Sequence, residues 1–278
     1  MAGARFAGRR ALVSGASRGI GAAAVERLAA EGADVVAVAR TWERHDHLDG
    51  NLKEVVEGAR RYGTTVEAIM ADLASPESRA GLVGRAAEAL GGPIDLLINN
   101  AAAAMYQPLV DYPSKRSHLT FEVNVHAPLD LAQQAIPAMV ERGEGWIVNV
   151  SSATANLRPG PPFHLPPPGS HMAVYGASKA ALNRLTNGLG AELYGTGVRV
   201  NTVEPRFGVL TEGAAELVGD KFEADVFESM EEMVEGMLVL CDCAPDLTGG
   251  VRVSLDLLEE RDITALGLDA RPREGAGR

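Results

Sequence analysis

Short apolar runs alternate with longer amphipathic stretches along most of this chain. The runs lack a polar residue at every second position, which is typical of strands that are buried on both faces of a parallel sheet. The predicted strands cover residues 11–13, 35–39, 66–70, 94–98, 146–150 and 248–255. The predicted helices cover about residues 20–30, 52–62, 118–140, 173–194 and 226–240, and one more begins at Ser75 and Pro76.

This alternation of strands and helices predicts an α/β fold with its ligand crevice at the carboxyl ends of the strands. We expect a single-domain, Rossmann-type, doubly wound sheet of about seven parallel strands with helices on both faces. The length of 278 residues, 46% of them hydrophobic, suffices for one such domain. We place the domain at residues 1–262 and a flexible tail, rich in arginine, glycine and aspartate, at residues 263–278.

Composition and charge narrow the partners that this domain can have. The formal net charge of −11 argues against a nucleic acid or an anionic membrane surface. No apolar run approaches the roughly 20 residues that span a bilayer. Cys241 and Cys243 have poor spacing for a metal, so we expect incidental thiols and no metal site. These features predict a cytoplasmic protein that acts on a small molecule.

The first predicted strand runs directly into a glycine-rich turn. Glycines at Gly15, Gly19 and Gly21 separate this strand from the following helix. Glycine allows a tight turn and a close approach of backbone N–H groups to a phosphate at the helix N-terminus. The turn therefore predicts a pyrophosphate site, although packing alone could also require three glycines.

The cofactor can be predicted from the charges near this turn. Sites for NAD usually place an acidic residue at the end of the second strand, where this chain has Arg40. Arg18 lies inside the glycine turn. Two guanidinium groups around one ribose suit a 2′-phosphate, so we predict NADP(H) rather than NAD(H).

Tyr175 and Lys179 lie four residues apart on a predicted helix. At that spacing both side chains project from one face, with Cβ atoms within roughly 6 Å. Since an ammonium group favours the phenolate, we predict a lowered pKa for Tyr175 and a role as a proton shuttle.

These motifs occur in the order found in the short-chain dehydrogenase/reductase family, which the chain resembles over residues 9–211. The glycine turn resembles the cofactor loop of that family, and Asp72 with Leu73 resembles its adenine-contacting position. Residues 99–102, Asn-Asn-Ala-Ala, differ from its Asn-Asn-Ala-Gly motif only at the last residue. The catalytic tetrad of the family is matched by Asn124, Ser152, Tyr175 and Lys179.

The resemblance implies a role for each of these residues. Ser152 would stabilise charge on the substrate oxygen, and Tyr175 would transfer the proton. Lys179 would hold the ribose, and Asn124 would anchor a water that links Lys179 to solvent. The implied cofactor contacts are Gly15, Ser17, Arg18, Gly19, Ile20, Gly21, Arg40, Thr41, Asp72, Leu73, Asn100, Ala101, Tyr175, Lys179, Pro205, Val209 and Thr211. Relatives associate through two long helices, so we expect a homodimer or homotetramer.

One departure from the family pattern is a Pro-rich insertion at residues 155–172, which separates Ser152 from Tyr175 by 23 positions. It could be a surface loop or a partner motif. Since both of its ends lie beside catalytic residues, we favour a semi-rigid wall or lid over the site. Its expected apolar contacts are Phe163 and Leu165, and we interpret His164 as an ordinary loop residue.

A second departure is the predicted substrate loop at residues 206–225, where Arg206 replaces the usual glycine of the family. The helix that follows has an apolar, methionine-rich face. Its members are Phe227, Met230, Met233, Val234 and Met237. Such a face usually packs in a core, but it also suits an irregular apolar pocket.

Taken with the resemblance, these residues predict an NADP(H)-dependent oxidoreductase that interconverts a ketone and a secondary alcohol. The expected substrate is moderately large and apolar. Enoyl reduction is an alternative, as is an extended-type epimerase or dehydratase, although the glycine spacing disfavours the latter. A non-catalytic, NADP(H)-sensing protein on the same fold is a further alternative.

Overall fold

The computed structural model describes residues 4–43, 50–163, 171–209, 211 and 227–273. Seven parallel strands form one sheet in the order β3-β2-β1-β4-β5-β6-β7. The strands are β1 (Arg10–Ser14), β2 (Asp34–Ala39), β3 (Val66–Met70), β4 (Leu96–Asn99), β5 (Gly145–Val150), β6 (Val198–Glu204) and β7 (Val251–Val253). The helices are α1 (Gly19–Ala30), α2 (Leu52–Ala59), α3 (Pro76–Arg79), α4 (Leu82–Ala89), α5 (Ser114–Phe121), α6 (Ala127–Arg142), α7 (Ala173–Glu192), α8 (Met230–Leu240) and α9 (Ser254–Glu260).

The five central strands of the sheet are buried on both faces, as the unbroken apolar runs predict. In β2, Val35 and Ala37 pack into one apolar cluster, while Val36 and Val38 pack into a second cluster on the opposite face. This confirms the doubly wound architecture. The strand order reverses between β1 and β4, and the carboxyl ends of parallel strands diverge at such a point to leave a crevice.

The helix predicted at residues 118–140 is longer than expected and is interrupted. It begins at Ser114 as α5 and ends at Arg142 as α6. A π-helical turn, Glu122–His126, joins the two parts. Asn124 lies in this turn, and π-helical turns are frequent at functional sites.

Two predicted boundaries near the C-terminus are also wrong. The helix expected from residue 226 begins at Met230, because Ser229 forms a capping box with Glu232. The strand expected over residues 248–255 is limited to β7, because α9 begins at Ser254.

The methionine-rich face of α8 belongs to the core. Met233, Val234 and Met237 are fully buried in the apolar cluster that covers one face of the sheet. The alternative that this face lines a pocket is therefore wrong. Phe227 precedes the helix and does line the cleft described below.

The first part of the predicted tail packs against the domain. Ala265 is buried, and Ile263 and Leu268 lie against the same core cluster. The carbonyl oxygen of Leu266 accepts a hydrogen bond of 3.5 Å from the buried guanidinium of Arg27. The packed domain thus extends past the boundary expected at residue 262.

Cys241 and Cys243 are buried and free, as expected of incidental thiols. Within the ranges given above, no cluster of histidine, cysteine and acidic residues could hold a metal ion. In the same ranges, no helix has the length and apolar character needed to cross a membrane.

Candidate active site

The glycine turn between β1 and α1 depends on a close approach of backbone to backbone. At Gly21 a β-carbon would lie 2.3 Å from the carbonyl oxygen of Gly15, so only glycine fits there. Gly21 does not line the neighbouring cleft, whereas Gly15 and Gly19 do. The close contact gives Gly21 a packing role, which allows α1 to approach the end of β1, and its predicted cofactor contact stays a prediction.

Asn100 joins this turn to the end of β4. Its side-chain amide donates to the carbonyl oxygens of Ser14 at 3.0 Å and Gly15 at 3.1 Å. In return, the hydroxyl of Ser14 accepts from the backbone N–H groups of Asn100 at 3.1 Å and Ala101 at 3.2 Å. These bonds fix the turn at the point where the strand order reverses.

A cleft of about 1230 Å³ opens at this reversal point, along the carboxyl ends of the strands. It brings together most of the residues predicted from the sequence. Those that line it are Gly15, Ser17, Arg18, Gly19, Ile20, Arg40, Thr41, Asp72, Leu73, Asn100, Ala101, Ser152, Tyr175, Lys179, Pro205, Val209 and Thr211. Of the predicted residues, Gly21 and Asn124 lie outside the lining.

One end of the cleft has the chemistry of an anion site. The N-cap residue of α1, Arg18, makes no side-chain capping bond to its helix, and Gly19 and Ile20 of the first turn line the cleft. Uncapped N–H groups at a helix N-terminus favour a phosphate. Arg40 is exposed at the end of β2 and lines the same end, so the residues present fit a phosphorylated dinucleotide.

Lys179 is buried at the centre of the cleft wall, with only 2% of its surface exposed. Its ammonium group donates to the carbonyl oxygen of Val150 at 2.7 Å. It lies 5.8 Å from the centre of the Tyr175 ring. Burial disfavours the charged form and lowers the pKa of Lys179 to about 8.

The predicted lowering of the Tyr175 pKa is wrong for this structure. Burial raises the pKa of Tyr175, the nearby Tyr106 adds to that effect, and a hydrogen bond with Ser152 opposes it. The ammonium of Lys179 binds a backbone carbonyl and faces the ring, so it does not offset the desolvation of the phenolate.

Ser152 is held beside Tyr175 by the short turn that follows β5. The hydroxyl of Ser152 accepts from the backbone N–H of Thr154 at 3.2 Å and from its hydroxyl at 2.9 Å. At Gly176, the residue after Tyr175, a β-carbon would lie 2.3 Å from the carbonyl oxygen of Thr154. This contact between α7 and the turn sets the distance between the two hydroxyls.

Asn124 lies outside the cleft lining, and both polar atoms of its side-chain amide are hydrogen-bonded within the protein. Its oxygen accepts from the N–H of Ala103 at 2.8 Å, and its nitrogen donates to the carbonyl oxygen of Ala103 at 3.1 Å. The same nitrogen donates at 3.0 Å to the hydroxyl of Ser178, which in turn donates at 2.6 Å to the carbonyl oxygen of Tyr175. Asn124 thus positions α7, and its predicted link to a water stays a prediction.

Tyr106 is a site residue that the sequence reasoning missed. Its ring centre lies 6.1 Å from that of Tyr175, with the ring planes inclined at 58°. Burial raises the pKa of Tyr106. The only available signal was its position seven residues after Asn99, at the end of a predicted parallel strand, where side chains converge on the crevice.

The described part of the Pro-rich insertion lines the cleft, but through other residues than the predicted Phe163. Phe163 does not line the cleft; its ring lies against Gly160, where an added β-carbon would be 2.5 Å away. Leu157, Arg158 and Pro159 line the cleft instead. His164, Leu165 and the rest of the segment to residue 170 lie outside the described residues, as do Leu210 and residues 212–226 of the predicted substrate loop.

Arg206 is directed away from the cleft. Its guanidinium donates to Asp256 at 2.5 and 2.9 Å and to Glu259 at 2.8 Å, both on α9. The backbone N–H of Arg206 donates at 3.0 Å to the carboxylate of Glu228. Glu228 is buried, and it also accepts at 2.5 Å from the hydroxyl of Ser254. Burial raises the pKa of Glu228 to about 7. The arginine that replaces the usual glycine of the family therefore anchors the loop to α9, while Pro205 beside it still lines the cleft.

Comparison with known proteins gives consistent matches over nearly the whole chain. A family model described as short chain dehydrogenase matches residues 9–221. The chain is 34% identical to L-xylulose reductase of Bos taurus over 261 residues, covering 91% of this chain and 96% of that protein. It is 32% identical to carbonyl reductase (NADPH) 2 of Sus scrofa over 261 residues, covering 90% and 96% of the two proteins.

The fold is also similar to a solved structure, that of a short chain dehydrogenase from Burkholderia cenocepacia in complex with NADP. The two chains are 31% identical, and the match covers 90% of this chain and 97% of that one with a TM-score of 0.75. The similarity thus extends over the sheet and the cleft together.

Proposed function

Since the chain belongs to the short chain dehydrogenase family and is an oxidoreductase that uses a nicotinamide cofactor, we propose that it interconverts a ketone and a secondary alcohol with NADP(H). The observation that carries this proposal is the placement of Ser152, Tyr175 and Lys179 in the wall of one cleft that also holds the glycine turn. Hydride transfer is the chemistry that the nicotinamide supplies when bound.

In reduction, the hydroxyl of Tyr175 gives its proton to the carbonyl oxygen of the substrate. The hydroxyl of Ser152 hydrogen-bonds the same oxygen and stabilises the negative charge that develops on it. In oxidation Tyr175 accepts the proton. Lys179, which is buried beside the Tyr175 ring with its pKa lowered to about 8, would hold the ribose of the cofactor, as the resemblance to the family implies.

The preference for NADP(H) rests on charge at the anion end of the cleft. Arg18 and Arg40 both line it, and Arg40 takes the place of the acid that would accept from a ribose hydroxyl. A 2′-phosphate is bound well by two guanidinium groups. The name of carbonyl reductase (NADPH) 2 and the NADP in the Burkholderia structure support this choice.

An apolar substrate is supported by the other end of the cleft. Five large apolar side chains that are exposed to solvent line it: Leu109, Val110, Leu119, Leu157 and Phe207. Leu157 is 96% exposed and Val110 is 89% exposed. A concave surface that exposes apolar side chains at this level is typical of a ligand-binding groove.

The substrate proposal is tested by a panel of aliphatic and aryl ketones and of ketoses, followed by the absorbance of reduced nicotinamide. We expect apolar ketones to have a kcat/KM at least about tenfold above that of L-xylulose, because only they bury the exposed side chains of the cleft. Turnover of L-xylulose without turnover of any apolar ketone would contradict the proposal.

Gly176→Ala tests the contact that sets the Ser152–Tyr175 geometry. The new β-carbon would overlap the carbonyl oxygen of Thr154, so α7 must shift and carry Tyr175 with it. We expect kcat/KM for a ketone to fall about 10- to 100-fold, a typical result of misplacing a catalytic group by about 1 Å.

Gly188→Ala is the matched control on the same helix. Its β-carbon would meet only the Arg184 side chain, at 3.6 Å. This variant should keep its activity and, since alanine favours helix by about 1 kcal/mol over glycine, should not melt earlier. Equal activity of the two variants would show that the close contact at Gly176 has no catalytic consequence.

We also propose that subunits associate through residues 118–140 and 173–194, as the resemblance to the family implies. These residues correspond largely to α6 and α7, which pack on one face of the sheet.

A further inference from the structure

The lining of the cleft is positively charged, whereas the chain as a whole is negatively charged. Acidic residues outnumber lysine and arginine 37 to 26 in the whole sequence. Among the described residues that line the cleft, the only carboxylate is Asp72. The cationic side chains of the same lining are Arg18, Arg40, Arg116, Arg158 and Lys179. Such a lining attracts anions into the cleft of an otherwise anionic protein.

Two of these arginines are not explained by the cofactor. Arg116 lies on α5 and Arg158 follows β5, in the part of the chain that carries the exposed apolar side chains Leu119 and Leu157. Arg18 and Arg40, by contrast, lie at the ends of the first two strands. The positive charge of the cleft therefore extends beyond the anion end into its apolar end.

A short series of contacts links Arg116 to the catalytic residue Tyr175. The guanidinium of Arg116 approaches the sulfur of Met105 at 3.0 Å. The next residue, Tyr106, lies 6.1 Å from Tyr175 between ring centres. Within the part of the chain that the structure describes, the guanidinium of Arg116 contacts Met105 and pairs with no carboxylate, and its side chain is exposed and lines the cleft.

We infer that the substrate is an apolar ketone or alcohol that carries an anionic group, a carboxylate or a phosphate, remote from the reacting carbon. Arg116 and Arg158 bind that group while the apolar body covers Leu119 and Leu157. This inference rests on the proposed function, because it concerns the substrate of the same site. A guanidinium binds carboxylates and phosphates through paired N–H groups, so both anions fit.

The test uses a series of methyl-ketone acids, from 5-oxohexanoate to 10-oxoundecanoate, each beside its methyl ester and beside a phosphate monoester of similar length. For the best chain length we expect the anion to exceed the ester in kcat/KM by on the order of tenfold, mainly through KM. The excess should shrink as salt is added, since the two arginines are open to solvent. The phosphate compound distinguishes the two kinds of anion.

Arg116→Gln and Arg158→Gln should each reduce the preference for the anion and leave the ester nearly unchanged. Arg116→Lys, which keeps the charge, should retain most of the preference. Lys115→Gln is the matched control: it removes the same charge from the neighbouring position on α5, which is exposed but does not line the cleft. That variant should behave as the wild type.

The outcomes separate this inference from the proposed function. If the wild type reduces esters as well as anions, or if Arg116→Gln leaves the ratio unchanged, the inference is wrong and the ketone reductase stands. If neither anions nor esters are reduced, the proposed function fails. If Arg116→Gln melts early, Arg116→Lys is compared with Lys115→Gln instead. Loss of the preference for the anion in Arg116→Lys alone would contradict recognition of the anion by charge.

Discussion

Replacing Tyr175 with phenylalanine is expected to lower kcat/KM for ketone reduction by about 1000-fold, within the range found for loss of a general acid. The variant keeps the ring, which faces Lys179 and Tyr106, and loses only the hydroxyl, which lies in the same cleft wall as Ser152. The loss should lie in kcat, because the proton is transferred in the transition state. Initial rates with NADPH and the best ketone of the panel measure it.

Tyr106→Phe is the matched control for this experiment. It removes a hydroxyl from the ring that lies 6.1 Å from Tyr175 and leaves the packing in place. Its activity should stay within about threefold of the wild type, and both variants should bind NADPH as before in a fluorescence titration. If Tyr175→Phe retained a tenth or more of the activity, another group would have to supply the proton, and the assigned mechanism would be wrong.

The second large effect is expected from the double variant Arg18→Ala with Arg40→Ala. If the two guanidinium groups hold a 2′-phosphate, their removal costs about 3 kcal/mol, or about 100-fold in the Kd of NADPH. NADH lacks that phosphate, so its Kd should change by less than about threefold. Titration of both nucleotides against the same preparation measures the two changes.

Arg85→Ala controls for the loss of positive charge alone. Arg85 lies on α4, binds the carbonyl oxygens of Ala80 and Ser78, and does not line the cleft. Its removal should leave the affinities for both nucleotides unchanged. Equal losses for NADPH and NADH in the double variant would refute the preference for the phosphorylated cofactor, although the oxidoreductase activity itself would not be in question.

Much of the fold could be predicted because its five central strands are buried on both faces. Unbroken apolar runs such as that of β2 can be satisfied only by a covered parallel sheet. One boundary error has a local cause, because α8 begins at Met230 where Ser229 and Glu232 form a capping box. Another depends on a distant partner, because Ser254 leaves the sheet where its hydroxyl meets Glu228.

In the site, too, features that follow from local sequence could be predicted and contacts between distant residues could not. Ser152, Tyr175 and Lys179 could be predicted as site residues because their order along the chain is that of a known family. The contacts of Arg206 with α9 could not, because its partners Asp256 and Glu259 are about 50 residues away in the sequence.

By itself, the sequence determined the fold class and the residue types available to the chemistry, since periodicity and motif order are local properties. Only the tertiary structure decided the state of those residues. The expected phenolate of Tyr175 gave way to a raised pKa, because desolvation depends on all the atoms around a group and the ammonium of Lys179 binds Val150 instead. Only the tertiary structure places Tyr106 and Arg116 in the site, because they line the cleft on which the ends of the parallel strands converge.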